Sequence, residues 1–365
     1  MKLLRVGIVG AGQLGQMLAL AGYPIGVRCR FLDRSADTPG AQVAPTLVGD
    51  LEDAAQLAEL AAHSDVLTFD WENISGAALK PLRKLTTIRP GPLALETSQD
   101  RMLEKALFAK LKIPVAAHAA IDSRDELIAA TGKFGLPGVL KTRRLGYDGK
   151  GQFVIKDASQ IDEAWAAIGA GGLIYEKFQK FSRELSLVGA RSAAGHTVFY
   201  PLSANTHSGG ILRFSTAPHI NARLELRARD YLKRVMNALA YVGVLTMEFF
   251  VVGGRLIANE MAPRVHNSGH WTIEGCVTSQ FENHLRAICD LPLGSTRPLG
   301  HSGMINFIGK IPDAKRLMAI DGLAFHDYGK QSRPGRKLGH CTIIKSNPRQ
   351  RNLALRHALK LVEWT

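Results

Sequence analysis

Cysteine is scarce in this sequence, since the 365 residues include only four, at positions 29, 276, 289 and 341. No two of them form a Cys-x-x-Cys pair, which excludes a zinc or redox motif of that kind and predicts reduced thiols. Long apolar runs are also absent, because none reaches the ~18 residues that cross a bilayer, and the N-terminus lacks the apolar segment and cleavage site of a signal peptide. We therefore expect a cytoplasmic protein without a membrane partner.

Internal repeats and low-complexity tracts are absent as well. Hydrophobic residues make up 46% of the chain and charged residues 21%. These proportions are ordinary for a globular protein and exclude the disordered, fibrous and collagen-like classes. At about 150 residues per domain, the length predicts two or three domains.

Acidic residues are outnumbered, with 32 Asp and Glu against 46 Lys and Arg, which leaves a net charge of +14. From His301 onward there are 12 basic and 4 acidic residues, so this segment holds more than half of the surplus. Such a segment attracts anions. Nucleic acid, a phosphorylated metabolite and a merely solvated surface all fit the charge, although the basic residues alternate with apolar stretches instead of forming a continuous arm.

The first part of the chain alternates strand and helix patterns. Strands are predicted over 3–9, 28–32 and 66–69, and a glycine turn over 10–15 leads from the first strand into a helix. Such alternation predicts an open parallel sheet whose ligands bind at the carboxyl ends of the strands. The glycine turn and the segment 71–73 both fall at that edge.

Proline and glycine cluster over 89–92 and predict a domain boundary near residue 98, after which a helix over 99–111 opens the next part. Between about 115 and 185, short strands and two helices predict a small α+β lid. We therefore predict an α/β and α+β protein in three parts. These are a parallel-sheet domain over 1–98, a domain over 99–298 that includes the lid, and a small, basic, β-rich domain over 299–365.

Gly10, Gly12 and Gly15 match the GxGxxG pattern of dinucleotide sites, and Asp33 follows near the place of a ribose-binding acid. The same glycines suit any tight strand-to-helix turn, whose free amides can hold any phosphate. The pattern alone leaves both interpretations open.

Lys141 ends a predicted strand and precedes a loop over 143–151 that is rich in glycine and cations. The amides and charges of such a loop can fold over a polyphosphate. It is not a Walker A loop, because GxxxxGK[ST] is absent. A basic, solvated hairpin is the alternative.

Glu248 and Glu260 lie on either side of Gly253 and Gly254 in a predicted hairpin. A three-residue loop places Glu248 opposite Glu260, whereas a two-residue turn places it opposite Asn259, and the sequence leaves this register open. Two carboxylates so close repel each other unless a cation joins them, which predicts Mg²⁺ bridging nucleotide phosphates. An exposed edge with outward charges is the alternative.

Polar residues crowd the segment directly after this hairpin, where Arg264, His266 and Asn267 fall within ten residues, between Pro263 and Thr272. So many polar groups beside a carboxylate pair exceed what a surface loop requires, although a lone histidine is more often structural. We therefore predict that this segment lines the same site.

Together these motifs resemble the ATP-grasp superfamily. Within it, the segments 68–73, 146–149, 184–191, 259–272 and 333–340 are similar to those of the 5-(carboxyamino)imidazole ribonucleotide synthase family of purine biosynthesis. The similarity runs from residue 3 to about residue 345. It implies an ATP-grasp fold with an N-terminal Rossmann-like domain.

The resemblance implies a carbon–nitrogen ligase that depends on ATP and Mg²⁺, with Mn²⁺ as a substitute. Such an enzyme joins bicarbonate to the exocyclic amine of 5-aminoimidazole ribonucleotide through carboxyphosphate, and releases ADP and phosphate. It also implies a homodimer without a nucleic-acid partner.

Residue roles follow from the same resemblance. The metal is assigned to Glu248 and Glu260. ATP is assigned to Arg101, Lys141, Gly146, Tyr147, Asp148, Gly149, Lys150, Gly151, Gln152, Glu176, Lys177, Phe178, Gln179, Glu184, His207, Asn259 and Glu260. Catalysis is assigned to Tyr147, Asp148, Lys150, Arg264 and His266. The ribonucleotide is assigned to Asn267, Lys330, Arg336 and Lys337.

Three other functions remain open at this point. A nicotinamide dehydrogenase explains the first glycine turn but leaves the carboxylate pair and the loop after Lys141 unexplained. A nucleic-acid-binding protein explains the net charge but requires a basic or aromatic platform that the sequence does not show. Formate-dependent glycinamide ribonucleotide transformylase is the nearest alternative within the superfamily.

Overall fold

The structure is a computed structural model that describes residues 3–146, 149–169 and 171–364. Its N-terminal part is a five-stranded, parallel sheet in the order β3-β2-β1-β4-β5, which confirms the predicted sheet. The strands are β1 (Leu4–Val9), β2 (Val27–Asp33), β3 (Thr46–Val48), β4 (Val66–Phe69) and β5 (Thr87–Ile88). The helices of this part are α1 (Gln13–Gly22), α2 (Ala54–Ala62), α3 (Gly76–Leu79) and α4 (Pro92–Gln99).

Helix α4 was not predicted, because the proline and glycine cluster was interpreted as a break in the chain. Pro92 is instead its first residue, a position where the missing N–H of proline leaves no donor unsatisfied. The following helix, α5 (Arg101–Lys110), begins two residues later than predicted. The side chain of Asp100 caps it by accepting a hydrogen bond from the Met102 amide at 2.9 Å.

The predicted lid is a four-stranded antiparallel sheet in the order β6-β9-β7-β8, against which two helices pack. Its elements are β6 (His118–Ile121), α6 (Arg124–Phe134), β7 (Gly138–Thr142), β8 (Gln152–Ile155), α7 (Ile161–Ile168) and β9 (Leu173–Lys177). The strand β6 was not predicted. Strands β7 and β8 pair directly, so the loop that connects them projects from the end of this sheet.

The largest sheet has nine strands. Eight of them follow the order β15-β14-β10-β12-β13-β16-β18-β17, and β11 pairs with β10. Its strands are β10 (Arg183–Arg191), β11 (Thr197–Phe199), β12 (Ser203–Ser208), β13 (Ile211–Ala217), β14 (Gly243–Val252), β15 (Arg255–Ala262), β16 (His301–Ile308), β17 (Leu323–Asp327) and β18 (Lys337–Lys345). The accompanying helices are α8 (Ala222–Ala238), α9 (Thr272–Gly275), α10 (Gln280–Ile288), α11 (Ala314–Met318) and α12 (Pro348–Leu359).

The C-terminal strands continue this sheet, because β13 pairs antiparallel with β16. The basic segment after β17 therefore lies on the same scaffold as the hairpin of β14 and β15. The proposed domain boundary near residue 299 remains a prediction.

One hydrophobic cluster joins the N-terminal sheet to the large sheet. It contains Phe31 from β2 and Trp271 and Phe281 from the region after β15. A buried polar contact crosses the same junction, where the ring of His284 lies 2.8 Å from the Thr68 hydroxyl and accepts a hydrogen bond from the Val244 amide at 3.1 Å. These contacts fix the carboxyl edge of the parallel sheet against the large sheet.

No helix in the described part of the chain is long and apolar enough to cross a membrane.

Candidate active site

A cavity of about 790 Å³ opens where the carboxyl edge of the parallel sheet meets the large sheet. Its lining includes the glycine turn before α1, the segment 70–73 after β4, the start of α5, the loop after β7, the hairpin of β14 and β15 with the segment that follows it, and the loop before β18. Of the predicted site residues, the lining includes Arg101, Gly146, Lys150, Glu248, Glu260, Arg264, His266, Asn267, Lys330, Arg336 and Lys337. Tyr147 and Asp148 lie outside the described residues.

The hairpin of β14 and β15 brings the two carboxylates together by combining the turn of one predicted register with the Glu248–Glu260 pairing of the other. Val252 pairs with Arg255, so the turn has two residues, and Gly253 and Gly254 adopt the positive φ angles of 54° and 72° that such a turn requires. Nevertheless Glu248 pairs with Glu260, because a β-bulge between Glu248 and Phe249 shifts the register by one residue. The extra residue of the bulge is Asn259.

The pKa values of the two carboxylates are shifted in opposite directions. Burial and the neighbouring charge of Glu260 raise the pKa of Glu248 to about 7. Burial also acts to raise the pKa of Glu260, but the charge and hydrogen bond of Arg101 outweigh it, so that this pKa is lowered. The Arg101 Nη1 atom lies 2.9 Å from Glu260 Oε2. The pair therefore carries negative charge that one arginine compensates only in part.

The donor set at this pair fits a hard divalent cation. Both carboxylates face the cavity, and the buried Asn259 Oδ1 atom beside them has no hydrogen-bond partner. Within the described ranges, no three or more His, Cys, Asp or Glu side chains are grouped as a complete metal site. A metal ion at this pair therefore requires further oxygen ligands, such as the phosphates of a nucleotide.

A buried network of charges adjoins the carboxylate pair on the lid side. Lys141 Nζ lies 3.0 Å from Glu176 Oε2, and Lys105 Nζ lies 3.5 Å from Glu176 Oε1. Burial acts to raise the pKa of Glu176, but the charges of Lys141 and Lys105 outweigh it and lower this pKa to about 2. The sequence predicted Lys141 and Glu176 for the nucleotide but not Lys105, which on a helix resembles an ordinary surface lysine.

The remaining residues predicted for the adenosine lie between the lid and the large sheet. Lys177 ends the last lid strand, Phe178 and Gln179 follow it, and the Phe178 amide donates to the Pro137 carbonyl at 3.1 Å. On the large sheet, Glu184 forms an ion pair with His207. Burial acts to lower the pKa of His207, but the hydrogen bond of Glu184 and the charges of Glu248, Glu184 and Glu260 together outweigh it and raise this pKa.

The glycine-rich loop after Lys141 is fastened at its base. Arg143 and Arg144 form ion pairs with Asp100 at 2.8 and 3.3 Å, so these two cations share one carboxylate. Lys141 pairs with Gln152, and the Gly151 carbonyl accepts a hydrogen bond from the Thr142 amide.

Farther out, the loop lies directly on the turn between β12 and β13. Gly149 has a φ of +78°, and a Cβ atom there would lie 2.8 Å from the Gly209 carbonyl oxygen. Only glycine fits both this conformation and this approach. The loop therefore closes over the large sheet.

The polar segment after β15 is tied to both sheets. Arg264 holds Glu72 with two nitrogen–oxygen distances of 2.8 and 3.1 Å, which brings the segment after β4 into the site. Asn267 exchanges two amide hydrogen bonds with Asn306, at 3.0 and 2.6 Å. The side chain of Asn267 is therefore held in place before any substrate arrives.

His266 is positioned as a neutral hydrogen-bond donor. Its Nδ1 atom accepts a hydrogen bond from the Ser268 amide at 3.3 Å, so the ring hydrogen resides on Nε2, which lies 3.7 Å from Glu248 Oε1. Burial and the charge of Arg264 hold the pKa of His266 well below its usual value.

The basic loop before β18 faces the first glycine turn across the cavity. Lys330 Nζ donates to the Gln13 side-chain oxygen at 2.5 Å, at the start of α1. Arg336 Nη1 donates to the Gln331 carbonyl at 3.1 Å. These contacts place the cationic loop beside the start of α1, where the carboxylate of Asp70 accepts hydrogen bonds from the Gly12 and Gly15 amides. The cations of this loop suit a phosphate.

Asp33 has a structural contact at the first glycine turn. Its Oδ2 atom accepts a hydrogen bond from the Ala11 amide at 2.7 Å. The carboxylate of Asp33 therefore holds the glycine turn in place. The residues of the GxGxxG pattern line one side of a cavity that extends to the basic loop.

Comparisons with known proteins agree with this architecture. The family models that match are the ribonucleotide synthetase preATP-grasp domain over residues 3–99, the ATP-grasp domain over 106–281 and the phosphoribosylaminoimidazole carboxylase C-terminal domain over 302–352. The fold and these matches define an ATP-grasp enzyme.

Comparison with individual proteins identifies the family within this class of enzymes. The chain is 46% identical to the N5-carboxyaminoimidazole ribonucleotide synthase of Pseudomonas aeruginosa, over 93% of this chain and 94% of that protein. It is similar to the crystal structure of the synthetase from Thermus thermophilus, with a TM-score of 0.94, 45% identity and 99% of each chain covered. The chain belongs to the N5-carboxyaminoimidazole ribonucleotide synthase family.

A third comparison concerns ligands. The Aspergillus clavatus N5-carboxyaminoimidazole synthase, solved in complex with ADP and 5-aminoimidazole ribonucleotide, has a TM-score of 0.92 and 28% identity over 98% of each chain.

Proposed function

We propose that the chain carboxylates 5-aminoimidazole ribonucleotide with bicarbonate at the expense of ATP, giving N5-carboxyaminoimidazole ribonucleotide, ADP and phosphate in purine biosynthesis. One observation carries the proposal. The same cavity contains the Glu248 and Glu260 pair and the cations Lys330, Arg336 and Lys337, so that a triphosphate and a second phosphorylated substrate can meet in it.

Magnesium is the metal of this proposal. Glu248 and Glu260, with Asn259 Oδ1 beside them, would hold it together with phosphate oxygens of ATP. When bound, Mg²⁺ neutralises charge on the transferring phosphoryl group. Arg101 and Lys141 would add positive charge from the protein, and the loop over 146–152 would cover the phosphates and exclude water.

The adenosine would lie between the lid and the large sheet. We assign the base to Glu176 and the following residues 177–179, and the ribose to Glu184 with His207 beside it. These residues adjoin the carboxylate pair through the contacts of Lys105 with Glu176 and with the Asn259 carbonyl.

The reaction has two parts. A bicarbonate oxygen attacks the γ-phosphorus of ATP while the bond to ADP breaks, which gives carboxyphosphate. Carboxyphosphate then releases phosphate and CO₂ next to the exocyclic amine, whose lone pair forms the carbon–nitrogen bond as the amine loses a proton. The protein's contribution to both parts is to position the reactants and compensate their charge.

Arg264 and His266 would hold the carboxyl group between the two substrates. Glu72 fixes the guanidinium of Arg264, and the Nε2 hydrogen of His266 lies on the side of Glu248. Tyr147, Asp148 and Lys150 complete the catalytic group in this proposal. Lys330, Arg336 and Lys337, with Asn267, would receive the ribonucleotide. A homodimer in the cytoplasm is part of the same proposal.

The rate of ADP formation tests the proposal. In carbonate-free buffer with MgATP, we expect 5-aminoimidazole ribonucleotide to stimulate ADP formation only after bicarbonate is added. Glycinamide ribonucleotide with formate is the control. If that pair stimulates ADP formation and the first does not, the chain is a formate-dependent transformylase instead.

A further inference from the structure

The turn of the hairpin does not by itself explain why Glu260 lies opposite Glu248. The two-residue turn fixes a register in which Glu248 faces Asn259, and only the extra residue of the bulge brings Glu260 into its place. A bulge leaves backbone groups without partners in the ladder. Buried groups of this kind need other partners, and those partners decide where the bulge forms.

Two side chains of α5 supply those partners. Lys105 Nζ donates to the Asn259 carbonyl at 2.6 Å, and Glu104 Oε1 accepts from the Met261 amide at 2.6 Å. The two contacts fall on either side of Glu260. Both side chains are buried, with Glu104 2% and Lys105 1% exposed.

Arg101 extends the same face of the helix. Residues three and four apart on a helix lie next to each other, so Arg101, Glu104 and Lys105 form one patch. Arg101 holds the carboxylate of Glu260, while the other two hold the backbone before and after it. One helical turn therefore contacts Glu260 at its side chain and both of its neighbours.

The burial of two charge-bearing groups requires an explanation, because a charged group without partners is costly to remove from water. Lys105 also lies 3.5 Å from Glu176, which accounts for part of its charge. Glu104 lies among Lys105, Arg101 and Glu260, and its direct hydrogen bond is to the Met261 amide. An apolar residue at position 104 would fill the space but would leave that amide without this acceptor.

We propose that Glu104 and Lys105 are positioning residues that clamp the bulge of β15 and thereby set Glu260 opposite Glu248. They contact the backbone on either side of Glu260. The inference rests on the proposed role of Glu248 and Glu260 in binding the metal.

The test uses Mn²⁺ as the probe, in the full chain with a non-hydrolysable ATP analogue, and measures bound metal by electron paramagnetic resonance. We expect Glu104→Met and Lys105→Met to weaken Mn²⁺ binding by about tenfold or more, as loss of a group that orients a metal ligand does. Glu104→Gln keeps an acceptor for the Met261 amide and should stay within about threefold of the unaltered protein. Lys110→Met, at the exposed end of the same helix, is the matched control.

Hydrogen exchange gives a second readout in the absence of metal. The peptide covering 255–262 should exchange faster in Glu104→Met than in Glu104→Gln, because only the first variant removes the acceptor of the Met261 amide. If Glu104→Met does not fold, Glu104→Asp replaces it, since its side chain is one methylene shorter and its carboxylate no longer reaches that amide. The same loss of Mn²⁺ binding is then expected.

Glu260→Gln, measured in parallel, distinguishes a failure of the proposed clamp from a failure of the metal assignment. If it abolishes Mn²⁺ binding while the folded Glu104 variants bind Mn²⁺ normally, the clamp is wrong and the metal assignment stands. If Glu260→Gln also binds Mn²⁺ normally, the metal assignment and the clamp are both overturned.

Discussion

The nucleotide half and the ribonucleotide half of the active-site cavity hold their charged side chains in different ways. The nucleotide half consists of Arg101, Lys105, Lys141, Glu176 and Glu260, and in it each cation has a carboxylate within 3.5 Å. The side chains of Lys105 and Glu176 are 1% and 4% exposed. This half is a buried network that exists before a nucleotide binds.

The ribonucleotide half consists of Gln13, Lys330, Arg336 and Lys337. Its cations are half-buried on a loop whose residues 331–335 are exposed, and Lys330 and Arg336 donate hydrogen bonds to oxygens of Gln13 and Gln331. The nucleotide half therefore holds its cations in buried ion pairs, whereas the ribonucleotide half holds them partly exposed beside the cavity, where a phosphate can reach them. Changes in the first half should therefore affect chemistry and stability, and changes in the second half affinity.

The largest effect is expected from Glu260→Gln in the nucleotide half. One neutral ligand weakens a site that has only two carboxylates, so a folded protein should lose MgATP hydrolysis. Phosphate release at saturating Mg²⁺ measures it, with Glu163→Gln on the lid as the matched control. Near-normal turnover of Glu260→Gln would remove the metal from this pair.

Next in size is the double change Arg336→Ala and Lys337→Ala in the ribonucleotide half. Each lost charge-assisted hydrogen bond is worth ~1.5 to 3 kcal/mol, so the KM for the ribonucleotide should rise by one or more orders of magnitude. The KM for ATP should stay nearly constant, and Arg349→Ala in α12 is the control. A loss of ATP affinity as large as the loss of ribonucleotide affinity contradicts the division of the cavity into two halves.

The buried network also predicts a pH dependence of stability. The pKa of Glu176 is lowered to about 2, so its stabilising contribution is complete above pH 5 and declines as the pH falls towards 2. The full contribution is about 3 kcal/mol. In urea unfolding, Glu176→Gln should be less stable than the unaltered protein at pH 7, and the difference should shrink by pH 3. A difference that stays constant with pH refutes a charge-based role.

The smallest effect is expected from Asp33→Ala at the first glycine turn. Loss of the hydrogen bond from the Ala11 amide should lower the free energy of unfolding by about 1 kcal/mol. Calorimetry should show unchanged ATP affinity, because the nucleotide half lies elsewhere. A large loss of ATP affinity in a folded variant would assign the turn to the nucleotide.

The sequence predicted the parts of this site that local patterns encode. Strand periodicity located the parallel sheet and the carboxylate hairpin, and glycine spacing located the loop after Lys141. It did not predict the bulge at Asn259, because no glycine marks it and its partners Glu104 and Lys105 are more than 150 residues away. Long-range contacts of this kind leave no local period in a sequence.

Helix α4 and the contact of Arg264 with Glu72 were missed for related reasons. A proline cluster can begin a helix as well as end one, and only the following tertiary packing distinguishes the two. The segment 71–73 was predicted to lie at the edge of the parallel sheet, but the partner of Glu72 lies 192 positions away.

Carbon-13 NMR with labelled bicarbonate follows the carboxylation of the amine itself. With MgATP and 5-aminoimidazole ribonucleotide, a carbamate carbon signal should appear at the same rate as ADP. It should be absent when any one of the three substrates is left out. ADP formation without a carbamate signal under these conditions would contradict the proposed carboxylation.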